Sequence, residues 1–156
     1  MPPSQHTRLR AESSVDGYGV AGNVHWQWPP FYIYTHVAYN DAVKAIFIEL
    51  PPFERYRDRY LDEEGFRLLQ EMLMAHPEGG DLMEGTGGLR KVRFSDVRRG
   101  KGKRGGLRVV YYYWTGGPEF WLFTIYDKDE MADLTPKQRA TLKELVKGEL
   151  HLRRKG

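Results

Sequence analysis

Three short runs rich in β-branched and aromatic residues lie close together in the second half of the chain. They are LRKVRF at 89–94, LRVVYYYW at 107–114 and FWLFTIY at 120–126. A Gly/Lys/Arg-rich loop separates the first two, and a TGGP turn separates the last two. Short connections between such runs predict three consecutive antiparallel strands, because a hairpin is the simplest way to join them.

The sequence before and after these three runs predicts one more strand and three helices. KAIFIEL at 44–50 predicts a first strand that ends at Pro51-Pro52, and residues 53–60 predict a short helix. Asp62 is the predicted N-cap of a second helix, whose apolar positions are Phe66, Leu69, Met72 and Leu73. Thr135, Pro136 and Gln138 predict a capped start for a last helix, whose apolar positions are Leu142, Leu145, Val146 and Leu150.

This order predicts a small α+β domain, with an antiparallel-type sheet of one N-terminal strand and a three-strand meander packed against about three helices. Residues 1–42 have no sustained helical or strand period, and Pro29-Pro30 interrupts them. We therefore expect an irregular or disordered extension over 1–42 and the domain over 43–156. Val43 occupies a plausible initiator position, so the extension is either an appendage or an over-extended gene start.

The composition excludes several classes of protein. The chain has 156 residues and no cysteine, which rules out disulfides, thiolate metal sites and a cysteine nucleophile and suits a reducing, cytoplasmic compartment. No run approaches the roughly 18 apolar residues that a membrane-spanning helix needs. We expect no cofactor and no resident metal, because no set of histidines and acids has metal-ligand spacing.

Charge is concentrated in one segment. Residues 90–108 carry nine cations against the single acid Asp96, a net charge of +8, whereas the rest of the chain carries 15 cations and 20 acids. Such a block attracts a polyanion, so the expected partner is RNA or DNA. The alternative is a solvated basic loop. The cations that we assign to RNA binding are Arg90, Arg98, Arg99, Lys101, Lys103 and Arg104.

Two matches to the dinucleotide fingerprint G-x-G-x-x-G, at 17–22 and 100–105, lack the required strand before and helix after. GTGGLRK at 85–91 lacks the Lys-Ser/Thr ending of a phosphate-binding P-loop. The acids Asp127, Asp129, Glu130 and Asp133 come from one segment, so we interpret them as loop and helix-start acids rather than a two-metal site.

Strand alternation groups the remaining polar residues. Lys91 and Arg93 share a face opposite Val92 and Phe94. In the last strand, Thr124 and Tyr126 share a face opposite Phe123 and Ile125, and Lys128 joins them if the strand continues. Arg108 opens the middle strand. One cationic sheet face is therefore expected, although the same pattern is compatible with ordinary solvent-facing positions.

These residue types suit RNA chemistry without metal. RNA supplies its own nucleophile, the 2′-hydroxyl, so an enzyme has to align it, remove its proton, neutralise the phosphorane and protonate the leaving oxygen. A lysine among like charges is a usable base. Arginine grips phosphate with two parallel hydrogen bonds. Tyrosine can move a proton or stack on a base.

The motifs GTGGLRKVRF, GGLRVVYYYW and LFTIYDKDEMADLTPKQRATLKELV, with the opening KAIFIELPPFERY, resemble the RelE/ParE toxin superfamily, in its HigB-like RelE branch. The similarity spans residues 44 to about 150. It implies the toxin of a bacterial type II toxin-antitoxin system, a ribosome-dependent mRNA endoribonuclease that inhibits translation. The implied partners are the ribosome, mRNA and a helix-turn-helix antitoxin, with operator DNA bound only through the antitoxin complex and no membrane.

The resemblance also implies the catalytic set, namely Lys91, Arg93, Arg108, Tyr126 and Lys128. Lys91 or Lys128 is the expected general base, Arg93 and Arg108 the phosphate clamps, and Tyr126 a stacking or proton-handling group. The alternative is a toxin module that binds nucleic acid or protein without catalysis, such as a ParE-like topoisomerase inhibitor.

Overall fold

The computed structural model describes residues 34–39, 44–95, 100, 102 and 106–155. Its strands are β1 (Tyr34–Tyr39), β2 (Lys44–Glu49), β3 (Asp81–Leu82), β4 (Arg90–Phe94), β5 (Leu107–Trp114) and β6 (Glu119–Asp127). Its helices are α1 (Pro51–Tyr60), α2 (Glu63–Ala75) and α3 (Pro136–Lys155). None of these helices is both long and apolar enough to span a membrane.

The six strands form one open sheet in the order β1-β2-β6-β5-β4-β3. The α+β class, the three helices and the β4-β5-β6 meander are confirmed. The antiparallel character of the sheet is wrong in one place, because β2 and β6 run parallel. A parallel neighbour requires a long connection, and α1, α2, β3, β4 and β5 all lie between these two strands in the chain.

The prediction of an irregular segment over 1–42 is wrong for Tyr34–Tyr39, which form β1 and pair antiparallel with β2. Because the hydrophobic period of this segment is interrupted and two prolines lie nearby, the sequence pattern does not predict β1, which lies at an edge of the sheet. The rest of that segment lies outside the described residues. The short strand β3 is not predicted either, because two residues are too few to show alternation.

The helix termini follow the sequence signals. The Asp62 carboxylate accepts a hydrogen bond from the Gly65 amide at 2.7 Å, which caps α2. Thr135 and Gln138 cap α3 reciprocally: the Gln138 amide donates to the Thr135 hydroxyl at 3.1 Å, and the Thr135 amide donates to the Gln138 side chain at 2.8 Å. Pro51 and Pro52 do more than end β2, because they form the first turn of α1.

Two apolar clusters cover the two faces of the sheet. On one face, α1 and α2 pack through residues such as Phe53 and Leu69 against Phe47 and Phe120, and the Phe47 and Phe120 rings stack with 4.8 Å between centroids. On the other face, α3 packs through Leu142 and Val146, both fully buried, together with Trp121 and Phe123. The sheet is therefore the middle layer of three.

A bulge in β6 changes the predicted alternation. The register passes from Val110 opposite Thr124 to Tyr111 opposite Leu122, so Phe123 is the extra residue. Phe123 consequently packs on the α3 face together with Tyr126, whereas Ile125 packs on the opposite face. The expectation that Phe123 faces away from Tyr126 is wrong for this reason. The bulge supplies an additional large apolar side chain on which α3 rests.

The Phe47–Phe120 stack gives a test of this core. Phe120 is 1% exposed, and its ring centroid lies 4.9 Å from that of Tyr113. We expect Phe120→Ala to lower the free energy of unfolding by about 3–5 kcal/mol, since it removes a large buried ring and leaves a cavity. Leu152→Ala is the control: this side chain is 66% exposed, so its effect stays within about 0.5 kcal/mol. Urea titration measures both, and an equal effect of the two substitutions would contradict the assigned core.

Candidate nucleic-acid interface

Three polar residues lie in one row across the meander. Arg93 in β4 is directly opposite Arg108 in β5, and Arg108 is directly opposite Tyr126 in β6. Residues paired in this way point to the same face, with Cα atoms about 4.5–5.5 Å apart. Lys91 lies on the same face of β4, two residues before Arg93, and is directly opposite Val110. The register thus brings together four of the five predicted catalytic residues.

The face that carries this row is partly covered. Arg108 is 6% exposed and Tyr126 is 4% exposed, whereas Lys91 is partly exposed and Arg93 is exposed. These burial values disagree with the alternative that all these positions are ordinary solvent-facing ones. Helix α3 and the segment before it cover the β6 side of the face, so the accessible cations lie along β4.

Asp133 is the residue that sequence reasoning missed. Its carboxylate accepts from the Lys91 ammonium at 3.1 Å through Oδ1 and from the Arg139 guanidinium at 2.9 Å through Oδ2. The Leu134 amide also donates to it, at 2.8 Å. The sequence pattern indicates a helix-start acid at Asp133, and the nearest signal of a role in the site is its place two residues before the α3 cap. The structure instead uses it to join the start of α3 to β4.

The Asp133 carboxylate is held in its charged form. Partial burial acts to raise its pKa, but the Leu134 amide and the Lys91 and Arg139 cations outweigh this and leave the pKa below its usual range. The carboxylate is therefore anionic at neutral pH. It occupies the kind of position between two cations that a phosphate oxygen of a bound polyanion would also favour.

Tyr126 is a buried phenol close to this carboxylate. Among the described residues its hydroxyl makes no hydrogen bond of ordinary geometry, although Asp133 lies close enough to act on it. Burial first, and then the negative charge of Asp133, raise the pKa of Tyr126 to about 12. Arg108 and Arg139 act in the opposite direction. The phenol therefore stays protonated at neutral pH, and its buried ring has no exposed face for stacking on a base.

Two other predicted site residues lie apart from the row. β6 ends at Asp127, so Lys128 lies in the following turn, where it is exposed. Arg90 points away from the row: its Nη1 donates to the carbonyl of Gly80 at 2.9 Å and to that of Glu78 at 3.1 Å. Arg90 therefore stabilises the segment before β3, which the Tyr111 hydroxyl also binds by donating to the Pro77 carbonyl.

The remaining predicted RNA-binding residues lie outside the described residues. They are Arg98, Arg99, Lys101, Lys103 and Arg104. In the chain they lie between Phe94, the last residue of β4, and Leu107, the first residue of β5. The +8 segment therefore includes Lys91, Arg93 and Arg108 of the described site.

The described residues contain no group of three or more histidines and acids arranged to hold a metal ion. No protein-family model matches the chain. The geometry of the row and the chemistry of its members therefore indicate what the site can do: it holds two arginines in register, one exposed and one buried, a lysine linked through Asp133 to Arg139 of α3, and a protonated phenol.

The titration of Tyr126 tests the burial of this site. We expect a tyrosinate absorbance titration of the wild type to contain a late component with a pKa of about 12, contributed by Tyr126 and by Tyr60. Tyr126→Phe removes one part of this component, and the matched variant Tyr60→Phe removes the other. Because the raised pKa belongs to the folded state, the stability due to neutral Tyr126 is complete below pH 10.0 and is lost as pH rises towards 12.

The same pair of variants differs in stability. Tyr60 donates a hydrogen bond to Glu130 at 2.7 Å, so Tyr60→Phe is expected to destabilise the protein by about 1–2 kcal/mol. Removing the Tyr126 hydroxyl is expected to change stability by less than about 0.5 kcal/mol, since it has no hydrogen-bond partner to lose among the described residues. A tyrosine that titrates near pH 10 and disappears in Tyr126→Phe would show that the site is open to water.

Proposed function

We propose that this protein is a metal-independent endoribonuclease that cuts mRNA on the ribosome, acting as the cytoplasmic toxin of a type II toxin-antitoxin system. The observation that carries the proposal is the row formed by Arg93, Arg108 and Tyr126, with Lys91 beside it on the same face. The row lies in the strands where the resemblance to RelE-type toxins is concentrated. The antitoxin, the ribosome and mRNA are the partners that this assignment carries with it.

Arg93 is the phosphate clamp of the row. It is exposed on β4, where its guanidinium can bind phosphate oxygens through parallel hydrogen bonds. Arg108 lies opposite it but is only 6% exposed, so it acts on the phosphate through its positive charge and not by direct contact. Charge developed on the phosphorane is greater than on the ground-state phosphate, so fixed cations favour the transition state.

The proposed step is a transesterification within the RNA. The 2′-hydroxyl loses its proton to a base, and its oxygen bonds to the adjacent phosphorus. The bond from phosphorus to the 5′-oxygen breaks, and that oxygen takes up a proton. The products are a 2′,3′-cyclic phosphate and a 5′-hydroxyl. No external nucleophile enters this balance.

Lys91 is the better placed of the two candidate lysines. It lies in β4 two residues from Arg93 and on the same face, whereas Lys128 lies in an exposed turn. A phosphate bound at the row would compete with Asp133 for the Lys91 ammonium, which now lies 3.1 Å from that carboxylate. Exchange of one anion for the other would bring Lys91 to the reacting group. Tyr126 supplies a buried, protonated phenol on the same face as the cations.

The glycines of GTGGLRK support the likeness at the level of the backbone. Gly85, Gly87 and Gly88 have φ values of 74°, 78° and 114°, a region that residues with a Cβ rarely adopt. They shape the turn that leads into β4 and so place Lys91 and Arg93. The motif is therefore a positioning element for these cations.

One observation favours a second candidate, a toxin that binds a nucleic-acid enzyme such as a topoisomerase without cutting RNA. Lys91 is paired with Asp133, so its described partner is an anion and not the like charges expected around a lysine base. A lysine held in this way is also consistent with a structural ion pair. The two candidates differ in what the cations do when a polyanion is present.

An mRNA cleavage assay on translating ribosomes separates the candidates. We expect the wild type to cut, and Lys91→Ala and Arg93→Ala each to reduce the cutting rate by about a hundredfold or more, as loss of one transition-state contact does. Arg55→Ala is the matched control, since Arg55 is exposed on α1, on the opposite face of the sheet. It should cut like the wild type.

Each variant also needs a thermal melt, because Lys91→Ala breaks the ion pair with Asp133. An ion pair of this kind is worth roughly 0–1 kcal/mol, so Lys91→Ala should remain folded. Arg93→Ala should also remain folded, because Arg93 is exposed. Inhibition of a topoisomerase by the wild type, with intact mRNA on ribosomes, would replace the proposed function by the second candidate.

A further inference from the structure

A line of basic side chains, none of which belongs to the row, runs along α3. Arg139, Lys143, Lys147 and Lys155 are spaced by multiples of four residues, and His151 occupies the remaining position. We call these five residues the α3 ridge. Residues four apart on a helix are neighbours on its surface, so the five side chains form one continuous line without an acid among them.

The ridge begins at the candidate site and turns outward. Four residues make slightly more than one helical turn, so each member is rotated by about 40° from the last. Arg139, the first, bonds to Asp133 and is 36% exposed, whereas Lys147 is 59% exposed. His151 and Lys155 are exposed as well. At 1.5 Å per residue the ridge is about 24 Å long.

The stability of the helix does not account for this pattern. Like charges four residues apart destabilise a helix by about 0.2–0.5 kcal/mol per pair. The helix dipole favours cations only in the last turn, where Arg153, Arg154 and Lys155 already lie. Lys143 and Lys147 lie two to three turns upstream.

The two acids of α3 do little to neutralise the ridge. Glu144 lies 3.4 Å from Lys147, but both side chains are exposed, so the pair contributes little. Glu149 is partly buried beside Arg153, and burial raises its pKa. The ridge is therefore a basic surface whose charge the helix itself leaves largely unbalanced.

We infer that the α3 ridge binds the sugar–phosphate backbone of the RNA strand as it leaves the row. The inference rests on the proposed function, because it takes the RNA to lie at Lys91 and Arg93. Arg139 connects the two surfaces, since it shares Asp133 with Lys91. A strand with stacked bases advances about 3.4 Å per nucleotide, so the ridge matches the length of about seven nucleotides.

Salt-dependent RNA binding tests the inference. The probe is a fluorescent single-stranded RNA of about twelve nucleotides, longer than the ridge, with 2′-O-methyl groups so that it cannot be cut. The variant is Lys143→Gln/Lys147→Gln, in which glutamine keeps the helix propensity. The control, Arg55→Gln/Arg67→Gln, makes the same change of charge at exposed positions of α1 and α2.

Loss of two phosphate contacts on a single strand should make the negative slope of log affinity against log salt less steep by about 1.4 in the ridge variant. The control should keep the wild-type slope, and a trinucleotide too short to reach the ridge should bind all three proteins alike. Equal slopes for the ridge variant and the wild type would overturn the inference. So would unchanged RNA affinity with loss of binding to phosphatidylserine vesicles, which would assign the ridge to a membrane surface.

The outcome is separable from that of the proposed function. If the wild type cuts mRNA and the ridge variant keeps the wild-type slope, the ridge inference fails and the nuclease stands. If the slope becomes less steep as expected while ribosome-bound mRNA stays intact, the α3 ridge is supported as an RNA-binding surface and the proposed nuclease function is wrong.

Discussion

The hydrogen-bonded register of β4, β5 and β6 is the constraint on which the candidate site depends. Because directly paired residues of antiparallel strands face the same way, the register that places Arg108 between Arg93 and Tyr126 also fixes which side of the sheet carries the charge. A shift of one residue in β4 would turn Arg93 to the face that α1 and α2 cover. The apolar residues of the opposite face, among them Val109 and Ile125, oppose such a shift because they are buried in its core.

Helix α3 completes the site from the other direction. Its capped start and its buried residues Leu142 and Val146 fix it on the same face as the row. The bulge at Phe123 enlarges the apolar surface that receives it. The segment before the helix then brings Asp133 to Lys91, and the first turns bring Arg139 to the same carboxylate. One packing contact thus buries Tyr126, pairs Lys91 and starts the α3 ridge beside the row.

Local signals predicted much of this, and long-range signals were missing for the rest. The caps of α2 and α3, the meander and the shared face of Lys91, Arg93, Arg108 and Tyr126 follow from spacing alone, since each depends on residues close in sequence or on a period of two. The parallel pairing of β2 with β6 and the contact of Asp133 with Lys91 link distant segments that carry no local mark of each other. The bulge at Phe123 makes the predicted direction of that side chain wrong, because side chains alternate between the two faces only while the register is regular.

The chemistry of the cut ends distinguishes attack by the RNA's own 2′-hydroxyl, aligned on this face with the adjacent phosphorus, from attack by water. We expect mRNA cut on the ribosome to carry a 2′,3′-cyclic phosphate (or the phosphate formed when it opens) and a 5′-hydroxyl. We also expect a single 2′-O-methyl group at the cleaved nucleotide to abolish cutting there. A 3′-hydroxyl with a 5′-phosphate, or undiminished cutting next to the 2′-O-methyl group, would mean that water is the nucleophile and that the row does not align the 2′-hydroxyl.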